Sequence, residues 1–385
     1  MDVYAVAPVL FEEISCANGR RIGVATLNAE KTLNALSADM TALLTRQLQA
    51  WREDAAIAIV VLQAAGEKAF CAGGDLQQLY RAMQQHHASA ERDDIRGNRY
   101  ALDFFEHEYR LDYLIHTYPK PILCWGHGIV MGGGIGLMAG ASHRVVTERS
   151  RLAMPEITIG LFPDVGGSWF LSRMPGRLGL FLGLTGAAMN AEDACFAGLA
   201  DYRIAHADKS AVIDALRQQN WSGDGDAALL SQVLLEAEQS ALGQAAFAPS
   251  QLRIHYDLID RVCRAPLLGG VVDAIAHIGG DDAWLQKAAK TLAAGAPGSV
   301  WLIAALQQRA RHLSLAEVFR LELVTVLHCA ARPDFAEGIR ALIIDKDQQP
   351  RWQHASLAEV STIWGEGFFV DPWSAAEHPL ADLGR

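Results

Sequence analysis

Residues 154–167 read Met154-Pro155-Glu156-Ile157-Thr158-Ile159-Gly160-Leu161-Phe162-Pro163-Asp164-Val165-Gly166-Gly167. Two carboxylates, Glu156 and Asp164, interrupt an otherwise apolar run that Pro155, Gly160, Pro163 and the Gly166-Gly167 pair break into turns. Neither acid therefore lies on a solvated helix face. A charge in apolar surroundings costs several kcal/mol unless it is paired or its pKa moves, and that is how enzymes obtain shifted acids and bases. The same letters also read as two helix starts, with Glu156 capping one helix and Asp164 opening another over Val165 to Arg173. The stretch alone leaves both readings open, and the chain around it decides.

Immediately upstream, Arg144 to Thr147 reads as a short strand leading into the acid pair. Farther back, two modules share one plan of buried strand, glycine-rich turn and helix. The first is Ile57 to Leu62, then Ala69-Phe70-Cys71-Ala72-Gly73-Gly74-Asp75, then a helical pattern from Leu76. The second is Pro121 to Trp125, then Gly126-His127-Gly128 through Met131-Gly132-Gly133-Gly134, then Ile135 to Ala139. An uninterrupted apolar run such as Ile57 to Leu62 belongs to a strand buried on both faces of a helix-flanked sheet. Repeated strand, turn and helix units give an α/β core. The chain opens with two strands, Val9 to Ser15 and Arg21 to Leu27, joined at Asn18-Gly19, a hairpin signal. Ser37 then caps a helix to about Trp51.

From Asp208 onward the texture becomes helical, in patterns over Ala227 to Gln239, Gln251 to Cys263, Asp282 to Ala294 and Leu315 to Ala331, the last ended by Pro333. This divides the chain into a core over residues 1–205 and a helical region over 206–385 packed on it, which also count together as one domain.

At 385 residues, 51% hydrophobic and 20% charged, the chain can bury a full core. A formal charge of −11 disfavours nucleic acid and anionic membrane as partners. No apolar run reaches the roughly 18 residues of a membrane span, and the first residues, Met1 to Val6, have neither a basic flank nor Arg-rich character, so a cytoplasmic protein is expected. Six scattered cysteines without Cys-x-x-Cys spacing suggest neither a disulfide framework nor zinc. Asp345-Lys346-Asp347-Gln348-Gln349-Pro350 offers two carboxylates without a third ligand and reads as a turn rather than a metal loop.

A glycine-rich turn before a helix presents N–H groups without intrahelical partners, in the positive end of the helix dipole. The P-loop pattern is absent, and Gly132-Gly133-Gly134-Ile135-Gly136 lies too far beyond its strand for a dinucleotide fingerprint. An oxyanion hole for an acyl carbonyl is the remaining use. Taken singly, either turn reads better as a device for tight turning and close helix packing.

Together with Met154-Pro155-Glu156 and Gly160 through Gly167, these phrases resemble the crotonase (enoyl-CoA hydratase/isomerase) superfamily, and within it the 3-hydroxyisobutyryl-CoA hydrolase branch. Leu33-Asn34-Ala35-Leu36, Phe104-Phe105 with Glu108-Tyr109, Leu184-Thr185-Gly186 and Asp345-Lys346-Asp347-Gln348 extend the likeness over about residues 5 to 352. The resemblance implies a spiral of repeated ββα units with a C-terminal helical region, and an extended acyl-CoA site. It implies oxyanion donors at the backbone N–H groups of Gly74 and Gly133, CoA contacts at Ala72 and Gly73, and a substrate contact at Glu108. It also implies no cofactor and no metal, CoA being part of the substrate. Hydratases of the family carry a second glutamate where this chain has Gly136, and glycine where it has Asp164; the hydrolase branch has aspartate there.

The resemblance thus implies hydrolysis of a short 3-hydroxyacyl-CoA, 3-hydroxyisobutyryl-CoA of valine breakdown above all. On that implication Glu156 would act as base or nucleophile, and Asp164 would hold the 3-hydroxyl, orient water or protonate the leaving thiolate. An enoyl-CoA hydratase or isomerase using Glu156 alone and a non-catalytic CoA-binding protein are the competing readings; a cysteine nucleophile at Cys71 has no histidine set beside it by sequence. His127 reads as a packing residue, and Lys31 and Lys68 flank the entrance turns as candidates for the CoA phosphates. Acyl specificity is left open, as is assembly into a homo-oligomer.

Overall fold

A computed structural model describes residues 7–242 and 247–385. Residues 1–6, on which the expected location rests, lie outside them.

The chain forms two compact units, each built from three separated stretches. The first comprises Met1–Gly74, Leu111–Leu152 and Met189–Arg253. Its six-stranded sheet runs in the order β1 (Val9–Ser15), β2 (Arg21–Leu27), β3 (Ile57–Ala64), β5 (Ile122–Gly126), β7 (His143–Val146), β9 (Tyr202–Arg203). Only β1 and β2 are antiparallel, closed by the hairpin at Gly19 with φ 83°. The other pairings are parallel, as expected of strands whose apolar runs are continuous. All of Ile57–Leu62 is buried. One layer on this sheet is formed by helices Lys209–Arg217 and Asp226–Leu242. Through Val212, Leu216, Leu230 and Leu234 they join a core with Ile22, Val24, Ile59, Val61 and Trp125. Elsewhere on the sheet Trp51, from helix Ala38–Glu53, lies so close over Gly23 that a Cβ there would meet the indole at 2.8 Å.

Three further strands, β4 (Ala69–Cys71), β6 (Ile129–Met131) and β8 (Arg151–Ala153), form a second small sheet in that order. Each follows a strand of the large sheet, so β3-β4, β5-β6 and β7-β8 repeat one step. The first step is followed by helix Leu76–His87 and the second by Gly133–Ala139. This is the spiral plan that the resemblance implied. Sequence patterning had shown the long strand of each repeat and passed over the short one, because three buried residues leave no period to read.

The second unit comprises Asp75–Arg110, Ala153–Ala188 and Ile254–Arg385 and is helical. Helix Leu315–Ala331 opens with a capping box of Ser314 and Glu317. Pro333 does stop that helix, and it also occupies the first turn of the next, Pro333–Ile339, where its missing N–H costs nothing. The single helix expected over Gln251 to Cys263 is two, Gln251–Ile254 and Tyr256–Val262, parted at His255. Among the described residues no single helix is long and apolar enough to cross a membrane.

Candidate functional site

In the second unit the stretch 154–167 forms two successive turns. Glu156 opens a 3-10 turn, Glu156–Ile159, ended by Gly160 in the left-handed region at φ 71°. Asp164 precedes a left-handed pair, Val165 at φ 52° and Gly166 at φ 82°, that leads into helix Gly167–Leu171. Neither carboxylate caps a helix, the cap positions being Pro155 and Gly166 without a side-chain cap, and both side chains are buried, each 5% exposed.

Two glycines seat the Glu156 turn on helix Pro333–Ile339. A Cβ on Gly160 would collide with the Asp334 carbonyl, and one on Gly338 would collide with the backbone of Ile159. Gly338→Ala is the cleaner test, since alanine favours a helix by about 1 kcal/mol over glycine, whereas overpacking against backbone costs about 1–3 kcal/mol or more. The clash wins on these magnitudes. The variant is expected to unfold at lower urea than the wild type, and an unchanged or raised midpoint would show that the contact yields.

Three further carboxyls and a phenol gather around Asp164. Helix Arg99–His116 brings Glu108, 2% exposed, and Tyr109, 0% exposed. The Tyr109 hydroxyl donates to Asp164 Oδ2 at 2.8 Å. Glu322, from helix Leu315–Ala331, accepts from the backbone N–H groups of Gly166 at 2.8 Å and Ser168 at 2.9 Å. Burial dominates the titration of all four acids. It pushes Asp164 up to about 6, against the lowering effect of the Tyr109 bond. It holds Glu156 well above the usual carboxylate range, with the Asp164 charge adding to the rise. Glu108 is raised by the same two causes, and Glu322 stands at about 8 despite its backbone donors. Glu156 Oε2 has no hydrogen-bond partner among the described residues. A buried carboxyl with one free oxygen and a pKa held above the ordinary range is equipped to take a proton or attack. In sequence Glu108 reads equally as a solvated helix carboxylate, and its burial removes that reading.

In the first unit the two glycine-rich turns meet. Helix Gly133–Ala139 runs so near β4 that a Cβ on Gly134 would collide with the Cys71 carbonyl oxygen, and one on Gly73 would meet the Met131 carbonyl oxygen at 3.6 Å. Gly73, at φ 104°, and Gly132, at φ 49°, take the left-handed turns. Gly133 is the first helical residue, where an N–H has no intrahelical acceptor. Gly74 bridges Leu36 and directly precedes Asp75, whose carboxylate caps Leu76–His87. Asn34, itself left-handed at φ 55°, stitches this region by donating from Nδ2 to the carbonyls of Ala65 and Ala69. Ala72 donates to Leu33 O at 3.1 Å.

Other candidates fall away. His127 Nε2 bonds the Gly66 carbonyl at 2.9 Å, and burial pushes its pKa down to about 4, which fits packing rather than base catalysis. Cys71 is buried, as expected of a structural thiol. Arg340 binds Asp345 and Asp347 at 2.6 and 2.7 Å, so that turn is held by a guanidinium. No group of three His, Cys, Asp or Glu among the described residues is arranged for a metal ion. Lys31 and Lys68 are exposed. Sequence reading passed over Tyr109 and Glu322 as site residues. The available signal for Glu322 was a lone acid on the apolar face marked by Leu315, Val318, Phe319 and Val326.

The family model described as enoyl-CoA hydratase/isomerase matches residues 22–369. A curated relative from Danio rerio, named 3-hydroxyisobutyryl-CoA hydrolase, mitochondrial, is 39% identical over 363 residues, 94% of this chain and 89% of the relative. A solved structure of an enoyl-CoA hydratase from Rhodobacter sphaeroides 2.4.1 aligns with TM-score 0.78 at 34% identity, covering 94% of this chain and 97% of that one. A carnitinyl-CoA dehydratase from Mycobacterium thermoresistibile aligns with TM-score 0.78 at 32% identity, covering 95% and 98%. The expected cytoplasmic location is overturned by the relative's name, which is mitochondrial. It had been drawn from a few terminal residues, and targeting is read from a segment's own charge and amphipathicity, independently of the fold. The match over residues 22–369, with a relative so alike across nearly the whole chain, settles the family: the protein is a member of the enoyl-CoA hydratase/isomerase family.

Proposed function

We propose that the chain hydrolyses a short 3-hydroxyacyl-CoA thioester, 3-hydroxyisobutyryl-CoA first among them, to the hydroxy acid and free CoA, as in the breakdown of valine. The observation that carries this reading is the buried Glu156, one oxygen free, beside a second acid whose pKa is about 6. The names of the curated relatives support it.

The backbone N–H groups of Gly74 and Gly133 donate to the thioester oxygen and take up its charge as the carbonyl carbon becomes tetrahedral. Glu156 removes a proton from the attacking water, or itself attacks to give an anhydride that water opens. The C–S bond breaks, and the thiolate takes up a proton. Asp164 orients water or the 3-hydroxyl, or supplies that proton. Glu108 lines the acyl group, and Ala72 and Gly73 lie against CoA. As written, the reaction calls on no cofactor or metal.

A panel of 3-hydroxyisobutyryl-CoA, 3-hydroxypropionyl-CoA and crotonyl-CoA, followed by thiol reagent and by enoyl absorbance, tests the reading. CoA release from the hydroxyacyl substrates is expected. Loss of enoyl absorbance from crotonyl-CoA without CoA release would favour the hydratase reading, which the two solved relatives suggest and Gly136 opposes. Binding of CoA with no turnover of any member would favour the non-catalytic one. A pH profile adds a second check. Glu156 must be ionised to act and its carboxyl is held above the ordinary range, so kcat/KM is expected to fall on acidification through a midpoint above that of a free glutamate. A rate that stays level down to the ordinary carboxylate range would remove Glu156 as the base.

A further inference from the structure

We propose that Glu322 is a positioning residue for this reaction, its carboxyl group clamping the backbone N–H groups of Gly166 and Ser168 and so fixing the left-handed turn that presents Asp164. The inference rests on the hydrolase reading in that it assigns Asp164 to the chemistry.

Val165 is β-branched and sits at φ 52°, a region such residues avoid, and Gly166 follows at φ 82°. Conformations of this kind persist only where the surroundings over-determine them. Within the turn, the Gly167 N–H donates to the Asp164 carbonyl at 2.6 Å. Gly166, the residue before helix Gly167–Leu171, has no side chain with which to cap it. Glu322 arrives from helix Leu315–Ala331, fully buried, and takes one of the two N–H groups on each oxygen. One turn earlier on that helix Phe319 supports the same turn, 3.4 Å from where a Gly166 Cβ would stand, and its ring centroid is 5.5 Å from that of Tyr109. Tyr109 in turn donates to Asp164. The helix thus holds Asp164 from two directions, through backbone by way of Glu322 and through the side chain by way of Tyr109. A carboxyl kept solely for stability has little reason to stand fully buried near another acid, whose charge raises its pKa.

Glu322→Gln tests this in the full-length chain. The amide keeps one acceptor and turns an NH2 toward the other N–H, so half the clamp is lost at nearly constant volume. With 3-hydroxyisobutyryl-CoA, kcat is expected to fall roughly 10- to 100-fold while KM stays within about threefold, because the reacting geometry is disturbed and CoA binding is not. The amides of Gly166 and Ser168 are expected to exchange with solvent faster than in the wild type. Val326→Ala, buried one turn farther along the same helix, controls for stability and is expected to lower Tm with kcat unchanged. An unchanged kcat in Glu322→Gln overturns the proposal, as does an equal loss of kcat in Val326→Ala. A wild type that releases no CoA would instead sink the hydrolase reading, and amide exchange then still reports whether the clamp exists. If Glu322→Gln fails to fold, Glu322→Asp, still a carboxyl but one methylene short of spanning both donors, is read in the same way.

Discussion

Glu156→Gln is expected to lose about 10²- to 10⁴-fold in kcat, the range over which a positioned acid or base acts. The substitution is isosteric, and Glu156 makes no ion pair among those found in the described residues. Little packing is therefore at stake. The change also removes a buried ionisable group that burial and the Asp164 charge hold well above its usual pKa. The sign follows by linkage. A carboxyl whose folded pKa exceeds its unfolded one supports the fold fully below the unfolded value, and that support fades as pH rises through the folded value. The wild type therefore loses stability over this window relative to the glutamine variant, and the variant's relative Tm is expected to climb with pH. Rate by thiol release of CoA and Tm by thermal unfolding thus move apart. A structural glutamate would show the two falling together, and full activity in the variant would end its catalytic role.

Asp164→Asn carries the second large effect, a loss of about 10- to 10³-fold in kcat with the fold retained. Asparagine keeps an oxygen for the Tyr109 hydroxyl, which now sits 2.8 Å from Oδ2, so the geometry has a partner to survive on. What disappears is the charge that titrates at about 6. Because that charge raises the pKa of Glu156, its removal is expected to move the acid limb of kcat/KM to lower pH. A drop in rate with the limb unmoved would mean that the two acids are not coupled, while an undiminished rate would take Asp164 out of the mechanism.

The two variants also separate the family's chemistries. The solved relatives described as hydratase and dehydratase and the curated relatives named hydrolases share this fold. Fold alone does not choose a reaction among them. In the proposed reading the choice turns on Gly136 and Asp164, and the Asp164 variant tests it directly.

Much of this was legible without coordinates. Asn18-Gly19 forces a hairpin, the six-residue apolar run Ile57 to Leu62 is a buried strand, and Ser37 caps its helix through the Met40 N–H at 3.2 Å. Each depends on neighbours within a few positions, and so each could be read in order. Glu156 and Asp164 were legible for the same reason, as acids set among apolar residues and turn formers. The residues that surround them were not. Tyr109 meets Asp164 across 55 positions and Glu322 meets Gly166 across 156. In sequence one is an aromatic on a helix and the other an acid on an apolar stripe. The short strands of the second sheet escaped too, being paired by partners distant along the chain. The sequence by itself determined which groups are present, where the backbone turns and which faces seek burial, since those follow from local sterics and side-chain polarity. Only the tertiary structure decided which acids share one low-dielectric space, because desolvation and Coulomb coupling act through space and not along the chain.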